Sequence, residues 1–142
     1  MEHKNKVWTA VFFAWIVAVT ATLGSLFFSD IMEFPPCTMC WYQRICMYPL
    51  VFIFLVSLIK KDKNVLFYAA PLVIIGWLWA FYHSLLIYGA IEEELTPCKF
   101  GVPCSVTYIN WFGFIDIPTL SLTAFTLIGI SLIVIYKKGF KI

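Results

Sequence analysis

Four long apolar stretches, at residues 7–29, 41–59, 65–90 and 118–136, constrain this chain more than anything else in it. About 20 predominantly apolar residues are what a helix needs to cross the hydrocarbon of a bilayer. In that medium the backbone must satisfy its own N–H and C=O groups, so each stretch is expected to be a helix. The first, third and fourth hold no Asp, Glu, Lys or Arg, and the second holds only Arg44. Pro49, Pro71 and Gly76 fall inside the second and third, where neighbouring helices can compensate the backbone groups they disturb. At 62% hydrophobic and 13% charged, the chain is too apolar to cover the surface of a soluble domain of its size. The expectation is an all-α membrane protein, a four-transmembrane-helix bundle forming a single integral membrane domain over residues 1–142.

The lysines set the expected orientation. Lys4 and Lys6 precede the first stretch, Lys60, Lys61 and Lys63 join the second to the third, and Lys137, Lys138 and Lys141 follow the fourth. Eight of the ten basic residues thus share one side, which the positive-inside rule makes the cytoplasm, with both termini in it. The other side carries Asp30, Glu33, Glu92, Glu93, Glu94 and Asp116, with Lys99 as its loop cation. The net charge of +2 is therefore topological and gives no reason to invoke nucleic acid, although the lysines can meet anionic lipid. The basic start also fits a signal peptide. Its apolar stretch is too long for one, however, and "SLFFSD" offers no small-x-small cleavage site, so it is read as a retained span.

The longest connection, residues 91–117, passes from the solvated "EEE" through the turn-rich "TPCKFGVPCS" to the aromatic "VTYINWFGFIDIP". This last piece is expected to be a short interfacial segment before the fourth helix, with Tyr108 and Trp111 at headgroup level.

Cys37, Cys40, Cys98 and Cys104 all fall in the two connections expected to face an oxidising compartment, where disulfides persist. As staples they would be poorly used in local pairs, each worth only about 2 kcal/mol in the chain-entropy model against roughly 4 for a bridge between the connections. Spacing alone leaves all three pairings open. Zinc is disfavoured because the second pair is wider than the usual ligand spacing and neither connection contains a histidine. A redox pair has a physical basis at Cys37 and Cys40. They stand at the start of the second helix, where unpaired N–H groups and the helix dipole favour a thiolate, the attacking species.

Arg44 lies one turn beyond Cys40 on the same face, where it can stabilise that thiolate or a negative charge docked beside it. Snorkelling to the nearby interface would also account for it, but an arginine within a span is costly and marks function by default. Cys46 sits about 240° around the helix from Cys40 and reads as an apolar filler. His83, at a similar depth in the third span, reads as a histidine hydrogen-bonded inside the bundle or as a partner for a bound redox ligand.

Thiol exchange conserves disulfides, so net disulfide production needs another electron acceptor. The sequence has no CxxCH haem site and no Rossmann glycine pattern, which leaves an acceptor dissolved in the bilayer. A quinone fits, with Arg44 holding a carbonyl oxygen as it gains charge.

Taken together, "CTMCWYQR", "YHSLL", "PCKFGVPCS" and "WFGFIDIPTLSL" resemble the DsbB family of membrane disulfide oxidoreductases, in its short-loop, BdbC-like branch, over nearly the whole chain. The resemblance implies a bacterial plasma-membrane protein that reoxidises an extracytoplasmic DsbA-like thioredoxin-fold oxidase and passes the electrons to a membrane quinone. It implies that Cys98 forms the mixed disulfide with that partner and Cys104 is its loop mate. Cys37 and Cys40 receive the electrons, Cys40 as the thiolate beside the quinone. Arg44, and more loosely His83, contact the quinone. Likeness to the short-loop branch leans toward menaquinone, with ubiquinone the other candidate. The short Cys98 to Cys104 loop departs from the long loop of other members, which bears on the order of cysteine exchange. A vitamin K epoxide reductase-like protein shares the chemistry but carries its cysteine pairs in the reverse order. A structural tetraspan subunit with two stabilising disulfides is the alternative outside enzymology.

Overall fold

The structure is a computed structural model in which residues 2–95, 98, 101, 103–105, 107, 113 and 115–139 are described. Helix α1 (Glu2–Leu26) runs on into a π-helical turn at Phe27–Ile31, followed by α2 (Thr38–Lys60), α3 (Val65–Ile87), a 3₁₀ turn at Glu93–Leu95 and α4 (Ile117–Gly139). No strand occurs among the described residues. Each of α2, α3 and α4 has 23 residues, about 34 Å of helix, and all four helices are long and apolar enough to cross a membrane. The expected interfacial segment, with Tyr108 and Trp111, and Lys99 before it lie outside the described residues.

Cross-helix hydrogen bonds fix an up-down-up-down bundle. Tyr48 near the start of α2 donates to Ser25 Oγ near the end of α1 (3.4 Å). Gln43 at the start of α2 meets His83 at the end of α3 (3.1 Å). Trp77 Nε1 of α3 donates to Thr126 Oγ1 of α4 (2.9 Å), and Tyr88 pairs with Thr119 (3.4 Å). The helices form a ring in which α1 and α3 each pack against both α2 and α4.

Side-chain size governs that packing. In lipid the hydrophobic effect does not drive helices together, so close contact rests on small residues that let large ones interlock. Ala14 and Ala18 of α1 and Ala69 and Ala80 of α3 are fully buried beside Leu50 and Phe54 of α2 and Phe125 and Ile128 of α4. Gly76 is the most closely packed of the glycines, since a Cβ there would overlap the Phe125 ring. The outward faces carry Phe52, Ile59 and Phe67, apolar and exposed as a lipid-facing surface requires.

The helix ends follow local chemistry. Lys61 caps α2 in the left-handed conformation (φ 52°), and Asp62 Oδ1 accepts from Asn64 N at 2.9 Å, closing the tight turn into α3. The third apolar stretch was expected to run to residue 90. The helix instead ends at Ile87, because Gly89 takes φ 77° and turns the chain away.

Gly76→Leu is predicted to destabilise the bundle by about 1–3 kcal/mol through overpacking against Phe125. Gly129→Ala, with only Val73 Cγ1 at an ordinary 3.8 Å, should be tolerated. Thermal unfolding of both variants in detergent micelles checks the contrast.

Candidate active site

The site begins with the chain direction imposed by Pro35 and Pro36. They hold the backbone extended up to Cys37 (φ −76°, ψ 173°), which becomes the N-cap of α2. Its Sγ accepts from the Cys40 backbone N–H at 3.4 Å, using one of the donors a helix start leaves free. The two sulfurs of Cys37 and Cys40 lie 3.0 Å apart as a dithiol in hydrogen-bonding contact. Cys98 and Cys104 form a disulfide, with Cα atoms 5.9 Å apart. Of the pairings the sequence left open, the structure therefore contains the local one.

His83 links the two pairs. It is 2% exposed, and its Nε2 lies 3.0 Å from the Cys104 carbonyl oxygen and 3.8 Å from Cys37 Sγ. Gln43 Nε2 donates to His83 Nδ1 at 3.1 Å, so the ring proton sits on Nε2 and points at the cysteines. Cys37, Met39, Leu86, Cys98 and Cys104 pack into one small apolar cluster, which seats the loop disulfide over the dithiol.

These donors act on Cys37. Its thiol is pulled from the ordinary 9.0 down to about 4, chiefly by the hydrogen bond from the Cys40 side chain. Burial opposes the shift, while the His83 hydrogen bond, the His83 charge when the ring is protonated, and the Cys40 backbone N–H add to it. In the dithiol form the negative charge therefore favours Cys37. Stabilising a thiolate stabilises the reduced form, which makes the corresponding disulfide a stronger oxidant.

Cys40 faces the other way. It lines a cavity of about 480 Å³ between α1, α2 and α4, together with Gln43, Arg44, Tyr48, Ser25 and mostly apolar side chains such as Ile16, Phe28, Leu120 and Leu127. The sequence placed Arg44 on the same helix face as Cys40, and both border this cavity. Arg44 Nη2 donates to the Ser25 carbonyl at 3.1 Å, just before α1 passes into its π-turn, and the guanidinium lies 5.4 Å from the Trp41 ring centre. Its Nε is buried without a hydrogen-bond partner among the described residues.

His83 does not line this cavity. Gln43 stands between them, bonding His83 while facing the cavity itself. Sequence reasoning passed over Gln43; an amide within an apolar span was the available signal, but its burial and its partner come only from the packing of α3 on α2. It also missed Asp116, buried, which caps α4 by accepting from Thr119 N at 2.8 Å. A second void of about 20 Å³, large enough for one water, is bordered by Cys37, Cys40, His83, Pro103, Thr107 and Asp116. Cys46 is buried in the main core, apart from these groups.

In a reduced Cys46→Ser, Cys98→Ser, Cys104→Ser variant, one thiolate per chain is predicted at neutral pH, lost only as the pH falls toward about 4. His83→Ala should move that loss to higher pH. Ultraviolet thiolate absorbance followed through a pH titration measures both.

Comparison with known proteins agrees with this chemistry. The family described as disulfide bond formation protein DsbB matches residues 5–135. Disulfide bond formation protein C of Bacillus subtilis (strain 168) is 46% identical over 138 residues, covering 97% of this chain and 98% of that protein. Probable disulfide formation protein C of Halalkalibacterium halodurans is 45% identical over 136 residues, covering 95% and 99%. A probable disulfide formation protein of Metapseudomonas resinovorans is 39% identical over 138 residues, covering 96% of each. No solved structure matches the chain. The four membrane-length helices, the paired cysteines and the extent of these matches place the chain in the DsbB family of disulfide bond formation proteins.

Proposed function

We propose that this disulfide-forming membrane protein is a quinone-dependent thiol:disulfide oxidoreductase of the bacterial plasma membrane, with its termini in the cytoplasm and its cysteine connections outside. The observation that carries the reading is the division of labour within one Cys-x-x-Cys. Cys37 contacts the loop disulfide region through His83, while Cys40 borders a large apolar cavity with Arg44 on the same wall.

The partner is a reduced thioredoxin-fold oxidase of the DsbA type. Its thiolate attacks Cys98, the Cys98–Cys104 bond breaks, and resolution leaves the partner oxidised and the loop as a dithiol. The loop dithiol then reduces a Cys37–Cys40 disulfide by a second exchange, two electrons moving each time and the number of disulfides staying constant. The stage after that exchange would have the loop oxidised and Cys37–Cys40 reduced, and the pairings in the structure are compatible with it.

The residues of the cavity suit a quinone. It is apolar and bordered by few polar groups, and the unpartnered Arg44 Nε is a donor in want of an acceptor. With a quinone bound, menaquinone in preference to ubiquinone, the Cys37 thiolate and the Cys40 thiol would give up two electrons and the one thiol proton, the second proton coming from solvent, and the acceptor would leave as quinol. Arg44, fixed by Ser25 and Trp41, would hold the head group by a carbonyl oxygen and steady negative charge there. Cys40 supplies the sulfur nearest the cavity. His83 keeps a donor on Cys37 and so holds that sulfur as the anion, a positioning role, with Gln43 holding the ring.

Cys37→Ser or Cys40→Ser is predicted to abolish quinone reduction by a reduced thioredoxin-like partner, whereas Cys46→Ser leaves it intact. Activity surviving in the Cys40 variant would sink the mechanism. Arg44→Lys keeps the charge but loses the planar fork. It should raise the quinone Michaelis constant about tenfold, the equivalent of roughly 1.4 kcal/mol of charge-assisted hydrogen bonding, with partner exchange unchanged. Steady-state kinetics with the two substrates varied separately distinguishes the effects.

A further inference from the structure

We propose that the reduced Cys37–Cys40 pair and His83 form a binding site for Zn²⁺, and that occupation of this site withholds the pair from redox turnover. The Sγ atoms of Cys37 and Cys40 and a ring nitrogen of His83 all lie within 4.8 Å of one another, and both Cys37 and His83 are buried. The sequence argued against zinc because neither loop holds a histidine. The fold changes that, since α3 delivers His83 to the thiols.

The geometry is close to what a tetrahedral ion needs. With Zn–S near 2.3 Å and Zn–N near 2.0–2.1 Å, tetrahedral angles put the two sulfurs about 3.8 Å apart and sulfur and nitrogen about 3.6 Å apart. Cys37 Sγ already stands 3.8 Å from His83 Nε2. The sulfurs, 3.0 Å apart, must separate by less than one ångström, which side-chain rotation of the half-buried Cys40 can supply. Cys-x-x-Cys at a helix start is also common zinc-ligand spacing.

Two further features fit an ion. The void of about 20 Å³ touches all three ligand residues and has room for a water as fourth ligand, with the buried Asp116 carboxylate on its wall adding negative charge. Gln43 holds the other ring nitrogen of His83, the place where metal-binding histidines have their orienting partner. For Nε2 to coordinate, the ring proton moves to Nδ1 and the Gln43 amide turns its oxygen toward it. Binding forms two metal–sulfur bonds and one metal–nitrogen bond. The remaining thiol proton, on Cys40, goes to solvent and no electron moves. Oxidation to the Cys37–Cys40 disulfide removes both thiolates, so the site exists only in the reduced state.

The test uses the full chain in detergent micelles as a Cys98→Ser, Cys104→Ser variant, so that the loop thiols cannot bind. Equilibrium dialysis against Zn²⁺ alone should give one ion per reduced chain, none after diamide oxidation, and an unchanged result when Cys46→Ser is added. Gln43→Leu should weaken binding by about 10-fold to 100-fold, and His83→Ala more. Zinc-edge X-ray absorption of the reduced chain reads the ligands without relying on either variant: two sulfurs at about 2.3 Å with nitrogen or oxygen at about 2.0–2.1 Å. No ion on the reduced chain, equal binding by the oxidised chain, full affinity in folded His83→Ala, or a shell without two sulfurs would each overturn the proposal. None of these readouts involves quinone, so they stand apart from the oxidoreductase reading.

Discussion

The first turn of α2 sets everything at the working end of the bundle. Two prolines keep the chain extended until Cys37, so that this residue caps the helix instead of entering it. Three residues later Cys40 is inside the helix, close enough for sulfur contact and bordering the large cavity, which Cys37 does not. Four residues further, Arg44 follows Cys40 on the same face. One more residue between Cys40 and Arg44 would rotate one against the other by about 100° and take them off the common face. The proposed separation of an exchange face from an acceptor face thus rests on helix register, with no domain needed to create it.

Around that turn, the bundle supplies what a lone Cys-x-x-Cys lacks. Helix α3 brings His83, which touches Cys37 and the loop that carries Cys104. Helix α1 brings the Ser25 carbonyl that anchors Arg44, at the point where the helix loosens into a π-turn. Such turns are frequent at functional sites because they re-aim backbone groups. The close packing of Gly76 on Phe125 lies two turns further along α3 from His83, where α3 meets α4. The same convergence that favours a Cys37 thiolate also assembles a ligand set for a thiophilic ion. Sensitivity to metal is then a physical cost of poising a dithiol for transfer.

Much of this was legible in the sequence, and the boundary has physical causes. The helices could be read because length and hydropathy in lipid leave little choice of structure. Cys40 and Arg44 could be placed on one face because both lie on a single helix, where spacing determines direction. Relations between helices could not be read that way. The position of His83 relative to Cys37 depends on how α2 and α3 are rotated against each other, which no local pattern encodes, and Gln43 and Asp116 acquire meaning only through the groups they meet. The disulfide between Cys98 and Cys104 was likewise undetermined by spacing. Its small entropic value as a staple, about 2 kcal/mol, is compatible with the proposed role as a bond that opens in exchange.

The central claim is that electrons leave the Cys37–Cys40 dithiol for an acceptor held beside Cys40 and Arg44. The most direct measurement is the anaerobic stoichiometry of the mildly reduced protein, counting free thiols by alkylation gel shift with and without added quinone and without any partner oxidase. The account predicts that each equivalent of quinone removes two thiols, one from Cys37 and one from Cys40. Thiols that persist in the presence of quinone, or that disappear equally without it, would contradict the account.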